Sequence, residues 1–251
     1  MSLGLPPLLL PFLAMAALFA ALFVTAMVAI VVWAYKRSGP YTVEEAARAE
    51  AQASSFLASV VPPLLPWSPQ AVTDVVDRWQ GIRPAWRTGK IDSEHGTIAT
   101  FCQPEGPGLL AFAISHKGVN GFERLCTSER ELRLDFFGRR ADVISRGQPL
   151  GMMQGSGSRK MMLLDPSGQA IGSYDRRSHS TRQRRYGEVV VHSRALGELK
   201  GIRIGGRSGY DSPGPILRNV ARDLTPDGED WLLAGIASEV LSDLVYSRLS
   251  D

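Results

Sequence analysis

The sequence is poor in the residues that mark a catalytic or disulfide-stapled protein. Two cysteines among 251 residues exclude a disulfide-dense secreted scaffold. Cys102 and Cys126 stand outside any CxxC spacing and read as reduced core thiols. The four histidines, at positions 95, 116, 179 and 192, have neither the helical spacing of a metal pair nor a cysteine cluster nearby, so they read as ordinary surface or core residues. Gly155-Ser156-Gly157-Ser158-Arg159-Lys160 lacks the G-x-x-x-x-G-K-[ST] order and a following helix, which makes it a hairpin loop and not a phosphate cradle. Gly201-Ile202-Arg203-Ile204-Gly205-Gly206 likewise misses the G-x-G-x-x-G spacing, and nothing favours a Ser-His-Asp triad. The expectation is a protein that is not an enzyme and that holds no cofactor and no metal. A net charge of 28 − 25 = +3, without interleaved basic and aromatic residues, also argues against nucleic acid.

The most informative absence is of charge at one end of the chain. No Asp, Glu, Lys or Arg occurs in residues 1–35, so the other 251 − 35 = 216 residues carry all of the +3. Residues 12–35 are an unbroken apolar run, and at about 1.5 Å per residue a helix of that length covers the roughly 30 Å of a hydrocarbon core. A cleaved signal peptide has a basic n-region and an apolar stretch of roughly 7–15 residues; this run lacks the first and exceeds the second, so it reads as an uncleaved anchor. Because it also lacks His, Asp, Glu, Lys and Arg, it offers no usual axial ligand for haem or chlorophyll and no proton relay.

What is present orients and partitions the rest. Lys36 and Arg37 follow the run directly, and basic residues stay on the cytoplasmic side. The chain is therefore expected in the inner membrane, with its N-terminus outside, its main domain cytoplasmic, and Trp33 and Tyr35 as interface anchors beside Lys36 and Arg37. Within the span Ala17, Ala21, Thr25 and Ala29 recur every four residues, while Met15, Phe19, Phe23 and Met27 lie opposite. A small face lets a partner helix approach closely.

Three segments follow: tail and transmembrane helix at 1–35, a helical, proline-rich neck at 36–87, and a β-rich cytoplasmic domain at 88–251. In the neck Thr42 and Glu45 form a capping box that opens an alanine-rich helix ending at Pro62-Pro63. A second short helix is expected from Ser68-Pro69 to Gly81, and the prolines at 62, 63, 66 and 69 favour a stiff extended connector. Beyond it, β-branched and aromatic runs separated by turn residues predict strands at 97–103, 109–115, 121–126, 130–136, 141–146, 150–154, 160–165, 169–175, 187–193 and 198–204. Many short strands at close spacing predict an antiparallel β-barrel or sandwich. Thr225 and Pro226 then start a C-terminal helix whose apolar stripe of Leu233, Ile236, Val240 and Leu244 is to be buried against or inside the sheet, with Glu239 and Asp243 sharing another face.

The D-x-x-G-x-x-I-G turn and strand within 162–175, the paired strands of 187–204 and the closing helix at 231–249 together resemble the tubby-like domain of tubby proteins, phospholipid scramblases and LURP-one-related proteins. The resemblance implies a twelve-stranded barrel around a central helix, near membranes and sometimes binding phosphoinositides. An N-terminal span, no palmitoylated cysteine run and no acidic calcium loop set the chain apart from scramblases, so scrambling is not implied. In plan alone, one span followed by a cytoplasmic β-rich domain is similar to the H subunit of purple bacterial photosynthetic reaction centres.

Arg176, Arg177, Arg182, Arg184 and Arg185 fall within ten residues that hold no acid. Near a bilayer each basic residue is worth about 1 kcal/mol against acidic head groups, so this segment is expected to meet anionic lipid or an acidic partner surface. The function expected first is a single-pass accessory subunit that braces a larger membrane complex, photosynthetic or respiratory, with other membrane subunits as partners. The alternative is a membrane-tethered tubby-like module that binds anionic lipid.

Overall fold

The structure is a computed structural model and describes residues 9–38, 41–68, 83–88, 91–99, 108–117, 119–156, 160–175, 186–200 and 217–241, with 9–14, 33–38, 83–88, 91–99, 108 and 241 described by their backbone alone. It divides into two compact units, Met1–Gly39 and Pro40–Asp251.

The first unit holds helix α1, Leu9–Ser38. It starts earlier and ends later than the apolar run, continuing through Trp33, Tyr35, Lys36 and Arg37. Pro11 is tolerated because it falls in the first turn, where its missing N–H has no intrahelical partner to lose. Every residue of Met15–Val32 is exposed, and this stretch is long and apolar enough to cross a membrane.

The second unit opens with α2, Val43–Val60, on the expected capping box: Glu45 N–H donates to the Thr42 hydroxyl at 3.2 Å and Thr42 N–H to the Glu45 carboxylate at 2.9 Å. The helix gives way at Val61, ahead of Pro62-Pro63. Being in this unit, the helical part of the neck belongs with the β-domain. The second neck helix lies mostly outside the described residues.

Twelve strands follow: β1 Arg83–Thr88, β2 Ile91–Ala99, β3 Gly108–Lys117, β4 Asn120–Cys126, β5 Glu131–Phe137, β6 Arg140–Ser145, β7 Gln148–Ser156, β8 Lys160–Leu164, β9 Ala170–Asp175, β10 Tyr186–Val191, β11 Arg194–Lys200 and β12 Leu217–Arg218. Each pairs antiparallel with its neighbour in sequence, giving one meandering sheet whose edges are β1 and β12. Among the described residues the first strand starts at Arg83, within the 36–87 segment expected as neck. Pro84 hides this strand from a sequence reading, yet on an edge strand a missing N–H costs no ladder bond. The expected strands 97–103 and 198–204 overlap the ends of β2 and β11, with 100–103 and 201–204 outside the described residues, while the other eight coincide within a few residues.

Alternation along β3 explains how both faces of the sheet are covered. Leu110, Phe112 and Ile114 join the main core, whereas Ala111 and Ala113 pack with Ala49, Ala53 and Leu57 of α2. Large residues inward and alanines outward let a helix lie close on the outer face. A line of polar contacts fixes it there: Tyr41 and Ser115 share a hydrogen bond at 3.0 Å, Lys117 Nζ donates to Glu45 at 3.0 Å, Arg124 donates to Ser54 at 2.7 Å, and Arg133 pairs with Glu50.

Helix α3, Pro226–Leu241, starts at the expected cap, with the Gly228 N–H donating to the Thr225 hydroxyl at 3.1 Å. The expected one-sided stripe is corrected here, since every residue from Asp230 to Val240 is buried. The helix touches β4 and β5 as well as β10 and β11, so both halves of the meander cover it. Glu239, expected on a polar face, is 1% exposed and receives a hydrogen bond from the Tyr174 hydroxyl. Close approaches hold the sheet curved: at Gly151 (φ +151°) a Cβ would lie 2.1 Å from the Leu164 carbonyl oxygen, and at Gly187 one would lie 1.6 Å from that of Asp175.

Candidate functional site

The sequence-derived site residues fall into three groups. Ala17, Ala21, Thr25 and Ala29 are all exposed on α1, and the Thr25 hydroxyl donates to the Ala21 carbonyl at 2.8 Å. That internal bond removes the one polar group the face would otherwise bring unsatisfied into lipid. Trp33, Tyr35, Lys36 and Arg37 lie on the last turns of α1, with their side chains outside the description. Arg176, Arg177, Arg182, Arg184 and Arg185 lie outside the described residues; Asp175 ends β9 before them and Tyr186 begins β10 after them.

The meander gives the sheet two unlike ends. At one, β3 turns into β4, β5 into β6 and β7 into β8, and β9 ends; we call this the entry end because α2 begins there, with Tyr41 on Ser115 and Glu45 on Lys117. Its turns are stitched together: Gly138 N–H donates to the Val119 carbonyl at 2.9 Å and Gly155 N–H to that of Arg139 at 2.8 Å. Val119 is 37% exposed and Phe137 56%. Arg139, Arg140 and Lys160 are exposed beside them; Arg140 pairs with Asp142 at 2.8 Å, and Arg139 and Lys160 make no ion pair among the described residues. The sequence reading missed this group. Its signal is Phe136-Phe137-Gly138-Arg139-Arg140, an aromatic pair of which only Phe136 can face the core, followed by a turn and two arginines.

The far end is locked by ion pairs, with Arg146 and Arg222 exposed and Arg194 half-buried among its acids. Asp230 at the start of α3, 3% exposed, accepts from the Ser145 hydroxyl at 2.6 Å and from Arg130 at 3.0 Å, with Arg146 at 3.5 Å. Arg130 also meets Glu229 at 2.8 Å and lies over the Trp67 ring, 5.2 Å from its centroid. One arginine thus joins the neck, the β4–β5 turn and α3. Glu129, Asp223 and Asp227 are exposed around this end, and Asp165 closes the β8–β9 turn. That turn is the one read from Asp165-Pro166-Ser167-Gly168. The Asp165 carboxylate accepts from the Ser167 hydroxyl at 2.6 Å and from the N–H groups of Ser167 and Gln169 at 2.9 Å, and these bonds hold its pKa below the usual value.

Between the ends stands Glu123 on β4, 0% exposed, with both carboxylate oxygens unpartnered. Its register partners are Ile114 and Leu134, so it faces the apolar core. Desolvation there pushes its pKa well up and favours the neutral acid.

Among the described residues no group of three His, Cys, Asp or Glu side chains could hold a metal ion. Cys126 is buried and free, and burial, with Glu131 nearby, pushes its thiol up to about 12. A thiol at that value is not a nucleophile at neutral pH. Cys126 is therefore expected to resist maleimide in the folded protein and to react once urea unfolds it, which mass spectrometry after timed labelling will read. No family model, curated protein or solved structure matches the chain.

Proposed function

We propose that this chain is a non-catalytic, single-pass membrane protein whose N-terminal helix holds a rigid β-domain on the cytoplasmic face of the inner membrane. There it serves as an accessory subunit that braces a larger membrane assembly, of which a photosynthetic or respiratory complex is the type. The observation that carries this reading is α1: apolar, exposed along the whole of Met15–Val32, and small on one side where a partner helix can pack. The domain fits the role because α2 and α3 are fixed on opposite faces of the sheet by ion pairs and an apolar core.

A membrane-tethered tubby-like lipid-binding module is the second reading. A twelve-strand meander around a buried helix supports closure into a barrel of that type, and the exposed Phe137 with Arg139 and Lys160 favours contact with a lipid surface.

Purification from membranes in mild detergent tests the first reading. The chain is expected to keep residues 1–35 by intact mass, to migrate as a particle larger than one chain in its micelle, and to carry stoichiometric subunits. Leucine at both Ala21 and Thr25 is expected to release them. A chain that migrates alone overturns the accessory role, and one that has lost its first residues overturns the anchor.

A further inference from the structure

We infer that α2 is a releasable strap: it lifts from the outer face of the sheet as a unit of its own while the sheet and α3 stay closed, and so uncovers an apolar floor of Ala111, Ala113 and Phe122. The inference goes beyond the accessory role and holds whether or not α1 spans a membrane.

The two helices of this unit are held very differently. Eleven consecutive residues of α3, from Asp230 to Val240, are buried, whereas of the eighteen residues of α2 only Ala49, Ala53 and Leu57 are. Two of those three are alanines, and a methyl group gains far less on burial than a leucine or phenylalanine side chain. The sheet also divides the apolar contacts. On its outer face α2 packs in a cluster separate from the core that encloses α3. Segments with few buried apolar contacts are the ones that open first.

α2 can leave without breaking the sheet. Among the described residues no backbone hydrogen bond joins it to a strand. Side chains make the link: Tyr41 to Ser115, Glu45 to Lys117, Glu50 to Arg124 and Arg133, and Ser54 to Arg124. Release strands neither arginine, because Arg124 keeps Glu131 at 2.6 Å and Arg133 keeps Asp135 at 2.8 Å, both acids on β5. Lys117 meets the water that replaces Glu45. Glu50 and Arg133 are each about a third exposed, so salt weakens their pairing. Beyond its C-terminal end the strap stays attached, since Trp67 lies in the main core beneath Arg130. The released form is a small minority at rest, which keeps Cys126, a member of the outer cluster, guarded.

Native-state hydrogen exchange of the full chain in detergent micelles, read by mass spectrometry at urea concentrations below the unfolding transition, tests the strap. The amides of residues 49–57 are expected to be protected about 100-fold less than those of residues 232–240, as a local opening is against a global one. Their exchange is expected to depend only weakly on urea, because a local opening exposes little surface. Raising sodium chloride from about 0.05 M to about 1 M is expected to speed exchange in α2 about threefold and to leave α3 unchanged. Ala53→Arg, which forces a long charged side chain into the space of a methyl group, is expected to abolish protection in α2 with that of α3 kept. Equal protection and equal urea dependence at 49–57 and 232–240 overturn the strap, as does an Ala53→Arg variant that loses protection in both helices alike. Exchange in α2 that salt does not speed overturns the part assigned to the ion pairs.

Discussion

Replacing Glu123 with leucine is expected to make the protein more stable. The carboxyl is 0% exposed among apolar neighbours and neither of its oxygens has a partner. A buried polar group left unsatisfied costs about 1–3 kcal/mol, and leucine of similar volume removes that cost while keeping the core filled. The pH dependence identifies the cause. Burial raises the pKa in the folded protein above the ordinary 4.5, so between that value and the raised one the unfolded chain has released a proton that the folded chain still holds. Stability therefore falls as pH rises through this window, by up to about 1.4 kcal/mol per pH unit, and is largest on the acid side. Urea unfolding of wild type and Glu123→Leu in detergent at pH 5 and pH 8 measures the difference. The variant's advantage is expected to be larger at pH 8 than at pH 5; an advantage equal at both would mean that Glu123 ionises inside the fold.

The second large effect is expected at Asp230, in the opposite direction. Asp230→Ala leaves the half-buried Arg130 without its inner partner and the Ser145 hydroxyl without an acceptor. Removing one member of a buried ion pair costs about 3–5 kcal/mol; Glu229, at 2.8 Å from Arg130, keeps part of the charge compensated and places the loss at about 3 kcal/mol. Because Arg130 also covers Trp67, protease cleavage after the neck is expected to speed up together with global unfolding. A double-mutant cycle with Arg130→Met isolates the pair. A loss for Asp230→Ala that persists in full in the Arg130→Met background would assign it to Ser145 and the helix terminus.

How much of this could be read from the residues follows from how local each signal is. The capping box at Thr42 and Glu45, the turn at Asp165-Pro166-Ser167-Gly168 and the start of α3 at Thr225-Pro226 each depend on a few adjacent residues, and all three are where the sequence put them. Strand β1 was missed because Arg83-Pro84-Ala85-Trp86 carries no alternation and a proline, features that an edge strand tolerates and a central one does not. Glu239 was assigned to a polar face because helical periodicity cannot report that a helix is enclosed on all sides, nor that Tyr174, distant in sequence, supplies its partner. The strand Gly121–Cys126 is the clearest case. Arg124 and Glu123 are adjacent and both charged, and only the pairing of β4 with β3 and β5 decides that the arginine meets α2 while the acid faces the core. The group at the entry end was illegible for the same reason, since Val119, Phe137, Arg139 and Lys160 become neighbours only through the meander.

Helix α3 sits at the centre of the core yet is made after all twelve strands. As the chain is synthesised the strands follow α2 in order, each able to pair with the one before it. The inner faces of Phe112, Leu134, Phe136 and Leu163 have nothing to cover them until Trp231, Leu232 and Ile236 arrive. At about 5–20 residues per second that interval is on the order of ten seconds, spent with the apolar face of the sheet uncovered. Nascent chains stalled before residue 226 are therefore the form of this protein most exposed to chaperones, proteases and aggregation, and folding is committed only when the C-terminal helix leaves the ribosome.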